Sequence, residues 1–374
     1  MSIIMNKIKR ILHLNWRGEI GGAERFTFNL ASQQKDIGMD VVIGYMADSN
    51  SWNIKCQELG IPVVTFNMKN GFDFFHFLYY LIFLYRFKPD IIHAHDPTPM
   101  VYITKIFYPK CIFIRHVHGS NLGNEKWEKT SVILWNRLFL KYVDRFIANS
   151  NHTKKILLIK YHLPEQKVSV VYNGIDLHQF KPNKTEKVMR KELSIEPKSF
   201  VVGGVGRLHE QKGFDLFIEV AHKLACKNRN FTFIIVGDGD QRDNLIDQAR
   251  VLNLNNHIIF TGFRTDIPEM ISVFDIFLLT SKWEPFGIVL LEAMCIGKPI
   301  IAFRVDGISE VVNDNTAILI DPWDTDKMAT EILSLTTNRD RQYKLIQNGY
   351  KRVRDFDLGK ITLQINDLYS SLIP

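Results

Sequence analysis

Residues 274–303 read FDIFLLTSKWEPFGIVLLEAMCIGKPIIAF, and they decide the fold. Asp275–Leu279 is a short apolar run of strand type. A loop follows, then an apolar stretch of helical length from near Pro285 to Gly297, then a second strand from Pro299. Pro285 suits the first turn of a helix, where its missing N–H costs nothing, and Gly287 lets a ligand come close to the backbone. The free N–H groups of such a helix start face an anion.

Glu284 and Glu292 frame this segment with seven residues between them. At 1.5 Å per residue their backbones are about 12 Å apart along the axis, so they hold different parts of one long ligand and do not share a proton. Two glutamates at this spacing are by themselves a solvated helix face. Their specificity comes from Pro285-Phe286-Gly287 after the first Glu and from Glu292-Ala293-Met294 followed by Gly297-Lys298-Pro299. With these residues the stretch resembles the donor-binding signature of glycosyltransferase family 4, retaining enzymes of GT-B fold. The resemblance implies an α/β chain of two Rossmann-like domains facing across a cleft, with a nucleotide-diphosphate sugar as donor.

Outward from this stretch, apolar runs of strand type alternate with helical ones. They begin at Ile8, Asp40, Pro62, Asp90, Cys111, Arg145 and Val168 in the first half, and at Phe200, Phe231, His257 and Ile318 in the second. Alternation of this kind implies right-handed crossovers and a parallel sheet covered on both faces. No Gly-x-Gly-x-x-Gly follows the first strand, which disfavours a nicotinamide dehydrogenase. At 374 residues the chain exceeds what one core serves. The expected division is 1–178 as an acceptor-binding domain, 179–199 as a linker, and 200–357 as a nucleotide-sugar-binding domain. The helix in 358–374 is expected to cross back to the first domain.

The net charge of +7 is spread along the chain, not clustered with stacking aromatics. Nucleic acid is therefore disfavoured, and a phosphorylated substrate or an anionic membrane face is favoured. The four cysteines, Cys56, Cys111, Cys226 and Cys295, form no Cys-x-x-Cys pair, which speaks against zinc and against a disulfide framework. The opening MSIIMNKIKRILHLNW reads as a first strand and not as a signal peptide, so a cytoplasmic location is expected, with peripheral contact at the inner face of the plasma membrane open. Phe72–Phe87, FDFFHFLYYLIFLYRF, is too short and too interrupted to span a bilayer, which needs roughly 20 apolar residues. It reads as a helix buried against the sheet, with a membrane-interface helix as the rival.

The remaining candidates sit at strand ends. Gly21-Gly22 before a helix can admit a phosphate or a hydroxyl to backbone amides. His93, His95 and Asp96, with His116 and His118 at the end of the next strand, make a metal site conceivable. The resemblance instead assigns His118, in His118-Gly119, to the reaction centre beside the sugar, gives His93-Ala94-His95 to the cleft lining, and leaves His116 unassigned. Asn173-Gly174 marks the exit from the first domain.

In the second half, Arg207 and Lys212 offer a planar fork and a compact charge to phosphate oxygens. The pattern Gly206-Arg207-Leu208, then Lys212-Gly213, resembles the family's pyrophosphate clamp. Asp238 and Asp240 imitate a metal-binding Asp-x-Asp, but Gly237-Asp238-Gly239 matches the family's glycine loop beside the nucleotide, with no cation. Thr261-Gly262-Phe263-Arg264 resembles the loop that meets the base.

The resemblance implies a metal-independent, retaining transfer of a hexose-type sugar, from a UDP-sugar in preference to a GDP-sugar, to a glycan or lipid-linked acceptor of cell-surface polysaccharide. It makes Glu284 a partner of the transferred sugar's hydroxyls and Glu292 of the ribose, with backbone around Phe286, Gly287 and Ile288 toward the phosphates. Two rivals are a nucleotide-sugar 2-epimerase of the same fold and a non-catalytic glycan-binding subunit.

Overall fold

The computed structural model describes residues 8–17, 21–48, 53–95, 99–119, 139–227 and 230–373. The chain divides into unit 1, Met1–Gly174 with Leu358–Pro374, and unit 2, Ile175–Asp357. Asp96 lies outside the described residues.

In unit 1 seven strands form one sheet in the order β3-β2-β1-β4-β5-β6-β7. These are β1 (Arg10–Asn15), β2 (Asp40–Tyr45), β3 (Val63–Thr65), β4 (Ile91–Ala94), β5 (Ile112–Val117), β6 (Arg145–Ala148) and β7 (Val168–Val170). All pairs are parallel, with Ile11 opposite both Val41 and Ile91. Alternate residues feed two cores, as a pleated strand requires. Leu12, Leu14, Ile92 and Phe113 pack with Phe77, Tyr80 and Leu84 of the helix Phe74–Phe87. On the other face Ile11, Ile43, Ile91 and Ile114 pack with Phe26 and Leu30 of the helix Gly22–Asp36 and with Ile361, Ile365 and Tyr369 of the helix Leu358–Leu372.

Unit 2 repeats the plan with six parallel strands ordered β10-β9-β8-β11-β12-β13. They are β8 (Phe200–Val205), β9 (Phe231–Val236), β10 (Ile258–Phe260), β11 (Ile276–Leu279), β12 (Ile300–Phe303) and β13 (Ile318–Ile320). In each unit the strand order reverses beside its first strand, between β1 and β4 and between β8 and β11. Ligands of open parallel sheets bind at the carboxyl ends around such a reversal.

Three expectations change against this structure. The helix after β11 spans Ile288–Ile296 and does not open near Pro285. Its start is set from a distance: the Glu284 N–H donates to Asp306 Oδ2 at 2.9 Å, and the Glu284 carbonyl accepts from the Gly307 N–H at 3.0 Å. Gly287 then caps the helix at φ +85°, a conformation that glycine adopts without strain. Where a linker is expected over 179–199, the chain is part of unit 2. Met189 is buried there, Arg190 pairs with Asp275 at 3.2 Å, and the Asn183 N–H donates to Glu269 Oε1 at 2.9 Å. The aromatic helix, read as buried, is buried along one side only: Phe74, Phe75, Leu78, Tyr79, Ile82 and Tyr85 are exposed.

Candidate active site

At the carboxyl ends of the unit 2 strands the connecting loops are joined backbone to backbone. The Gly206 N–H donates to Val236 O at 3.0 Å, the Leu208 N–H to Asp238 O at 2.9 Å, and the Gly237 N–H to Gly262 O at 3.0 Å. Gly237 has φ +140°, and a Cβ built there would stand 1.9 Å from the Gly206 carbonyl oxygen. No residue but glycine fits. The loops after β8, β9 and β10 are thus one fixed surface.

Lys212 closes the short turn Glu210–Lys212 after β8. Its aliphatic stem lies over Gly206, with Cγ 3.3 Å from where a Cβ would be. That course brings Nζ to Glu284 Oε2 at 2.5 Å, an oxygen that also accepts from Ser281 Oγ at 3.2 Å. The two side chains are 17% and 8% exposed, so this is a charge-assisted bond in a largely dry place. Gln211 fastens the two loops together. Its Nε2 donates to Trp283 O at 3.2 Å, and its main-chain carbonyl accepts from the Lys282 N–H at 2.8 Å. Lys212 follows β8 and Glu284 follows β11, the two strands between which the order reverses.

The other unit 2 candidates fall around this pair in different ways. Arg207 is exposed on the loop after β8. Glu292 is buried in the helix Ile288–Ile296. The Phe286 ring is buried edge-on to Phe356 at 5.8 Å, so only its backbone is available to a ligand. Gly287 is buried, Ile288 half-buried, and Phe263 exposed beside Gly262. Asp238 and Asp240 are exposed, and Asp238 Oδ1 accepts from the Gly239 N–H at 2.8 Å, tying its own loop. Gln211, Ser281 and Asp306 were missed by sequence reading; the Asp306-Gly307 turn signal was the one available hint.

In unit 1 Gly21 caps the helix Gly22–Asp36 in extended backbone, and the Glu24 carboxylate lies against it. Beyond it, at the ends of β1, β4 and β5, five imidazoles meet. His13 Nδ1 contacts His95 Nε2 at 3.1 Å, His95 Nδ1 contacts His118 Nε2 at 3.0 Å, and His93 Nε2 contacts His116 Nδ1 at 3.2 Å. Burial pulls the pKa of His13 and of His118 down to about 4, with Gln34 opposing at the first and Asn173 at the second. It holds His93, His95 and His116 well below the ordinary imidazole range, neighbouring imidazoles adding to the effect.

Ring nitrogens of His13, His93 and His95, and of His95, His116 and His118, lie within 4.8 Å of one another. The rings of His93 and His95, and of His116 and His118, are stacked with centroids 4.3 Å apart. Lone pairs in stacked rings run side by side, whereas a zinc ion at about 2.0 Å needs them to converge. His13 carried no signal in the sequence, being one polar residue inside an apolar strand.

The exposed side of the helix Phe74–Phe87 forms, with Phe107, an apolar groove that Leu81 also lines. No helix among the described residues is long and apolar enough to cross a membrane.

Two family descriptions cover most of the chain: Glycosyltransferase Family 4 matches residues 20–179, and Glycosyl transferases group 1 matches residues 185–352. Relatives include the UDP-Gal:alpha-D-GlcNAc-diphosphoundecaprenol alpha-1,3-galactosyltransferase of Escherichia coli, 29% identical over 308 residues, which are 78% of this chain and 79% of that one. The lipopolysaccharide core biosynthesis mannosyltransferase LpsB of Rhizobium meliloti is 28% identical over 248 residues, 64% of this chain and 69% of that one. Among solved structures, Anabaena Alr3699/HepE in complex with UDP-glucose matches with a TM-score of 0.84 at 26% identity, covering 97% of this chain and 99% of that one.

Proposed function

The chain belongs to the family 4 glycosyltransferases of GT-B fold, and from that membership we propose a retaining, metal-independent hexosyltransferase of surface-polysaccharide assembly. It takes a nucleotide-diphosphate sugar, a UDP-sugar in first place, and passes the sugar to a glycan or lipid-linked acceptor. The UDP-glucose complex of Alr3699/HepE and the UDP-galactose named for the Escherichia coli relative support this choice of donor.

The observation that carries the reading is the Lys212–Glu284 pair on loops fixed backbone to backbone. A phosphate oxygen competes with Glu284 for the Lys212 ammonium. Lys212 and Arg207 together then take up charge developing on the departing diphosphate, with the amides of Gly287 and Ile288 at the helix start adding their dipoles. Glu284, relieved of part of that contact, accepts from hydroxyls of the transferred sugar, and Glu292 accepts from the ribose. A carboxylate held by an ammonium and a serine hydroxyl is a poor nucleophile, so attack comes from the acceptor on the leaving-group face.

The exposed aromatic side of the helix Phe74–Phe87 supports peripheral contact with a membrane that presents the acceptor. A thermal-shift screen against UDP-, GDP- and ADP-sugars, followed by turnover in EDTA, tests the central reading. With all donors at one concentration the shift is largest for the tightest, expected to be a UDP-sugar, and corresponds to about 2.7 kcal/mol where that concentration is about a hundredfold its Kd. No shift with any donor overturns the function, and activity lost in EDTA and restored by Mn²⁺ overturns the metal-free mechanism.

A further inference from the structure

The peptide unit that joins Trp283 to Glu284 is gripped at both ends by side chains from elsewhere in unit 2. Its carbonyl, Trp283 O, accepts from Gln211 Nε2 at 3.2 Å, and its N–H, on Glu284, donates to Asp306 Oδ2 at 2.9 Å. Gln211 comes from the turn after β8 and Asp306 from the turn after β12. Because β11 lies between β8 and β12 in the sheet, the loop after it is held from the strand ends on either side. The next peptide unit is held too. Glu284 O accepts from the Gly307 N–H at 3.0 Å, and the ring of Pro285 fixes the φ that follows.

Asp306 holds its place under strain. Its φ is +41°, in the left-handed region that glycine enters freely and an aspartate does not. Gly307 then comes so close to the loop that a Cβ there would stand 2.0 Å from Pro285 O. A strained residue whose carboxylate reaches across to the neighbouring loop is one whose side chain is in use. It fixes the direction in which the Glu284 side chain leaves the backbone, because the peptide units on both sides of that Cα are pinned. From there the Glu284 carboxylate meets Lys212 Nζ at 2.5 Å and Ser281 Oγ at 3.2 Å.

We propose that Gln211 and Asp306 are positioning residues for the transfer, which by gripping one peptide unit between them orient Glu284 toward the transferred sugar. This rests on the assignment of Glu284 to the sugar's hydroxyls made above. Both residues act through Glu284. An acceptor oxygen contributes most when it is already in place, and a shift of about 1 Å in such a group lowers the rate by up to about a hundredfold.

Replacements of Asp306 separate positioning from stability. Asp306→Gly loses the bond but relieves the backbone, two effects of similar size, so Tm should stay within about 2 °C of wild type. Asp306→Ala loses the bond and keeps the strain, and should lower Tm by about 3 °C. In both, kcat should fall roughly tenfold, whereas Asp306→Asn keeps an acceptor oxygen and should recover most of it. Gln211→Met removes the other grip and should lower kcat to a like degree. If Asp306 were merely structural, kcat would follow Tm and Asp306→Gly would be as active as wild type; that result overturns the proposal. So does Asp306→Asn no better than Asp306→Ala, or Gln211→Met with full kcat. Hydrogen exchange at the Glu284 amide, measured with no donor present, tests the grip apart from the function. Protection in wild type that is lost in Asp306→Gly supports it, and equal exchange in the two sinks it whatever the enzyme turns over. A wild type that turns over no donor sinks the assignment of Glu284 and the positioning role with it, while the grip itself stands.

Discussion

Replacing Gly237 by alanine tests whether the loops at the ends of β8, β9 and β10 form one fixed surface. At φ +140° the new side chain pays a backbone strain of about 1–3 kcal/mol. Its Cβ must also move off the Gly206 carbonyl oxygen, from 1.9 Å to ordinary contact. That movement pulls on the bonds from Gly237 to Gly262 and from Gly206 to Val236, each worth about 1 kcal/mol. The combined cost is about 4 kcal/mol. Gly262 is the internal control. It also has positive φ, at +69°, but nothing lies within 4 Å of a Cβ built there. Gly262→Ala should cost only the left-handed backbone term, about 1 kcal/mol.

For a unit of this size 1 kcal/mol moves Tm by about 2–4 °C, so Gly237→Ala should lower it by roughly 10 °C and Gly262→Ala by about 3 °C. Circular dichroism melts measure this, with hydrogen exchange at β8 and β9 assigning the loss to unit 2. The same melts with a UDP-sugar should show the ligand-induced rise shrinking in Gly237→Ala, because the amides after β8 and β9 no longer share one surface. Equal losses in the two variants, or a Gly237→Ala melt within 2 °C of wild type by the same scaling, would refute the backbone-to-backbone account.

Lys212→Met should lower kcat by roughly 10²–10³ and destabilise unit 2 by about 2–3 kcal/mol, since Glu284 keeps a buried charge. In a urea double-mutant cycle the pair Lys212→Met with Glu284→Gln should recover part of that stability, and simple additivity would argue against the ion pair. His13 and His118 have folded-state pKa values below the ordinary 6.5, so the unfolded chain binds more protons between pH 6.5 and 4. Stability is intact above pH 6.5 and falls through that window, each histidine withdrawing up to about 3 kcal/mol by pH 4. Hydrogen exchange corrected for intrinsic rates should find the loss in unit 1, and a loss confined to unit 2 would contradict the burial of these rings. Phe75→Glu with Leu78→Glu should abolish sedimentation with vesicles containing phosphatidylglycerol and leave the melt unchanged; unchanged sedimentation removes the membrane reading.

How much of this was legible follows from the range of the interactions. Strand runs such as Phe200–Val205 and Phe231–Val236 are apolar on both faces because helices cover both, and a continuous apolar run is a local signal. Glu284 and Lys212 were also visible, since each stands in a motif tied to a strand end. Pro285 misled because the start of its helix is fixed by Asp306 and Gly307, more than twenty residues on, and local propensity holds no record of that bond. Residues 179–199 looked like a linker by their prolines and charges, yet Met189 is buried and Arg190 pairs with Asp275 just before β11. His13 is the extreme case. Its partners, Gln34 and His95, come from 21 and 82 positions away, and Gln34 is itself held by Asn366, 332 residues beyond it. A site assembled by parallel strands collects one residue from each carboxyl end, so its chemistry becomes readable only after the strand order is known.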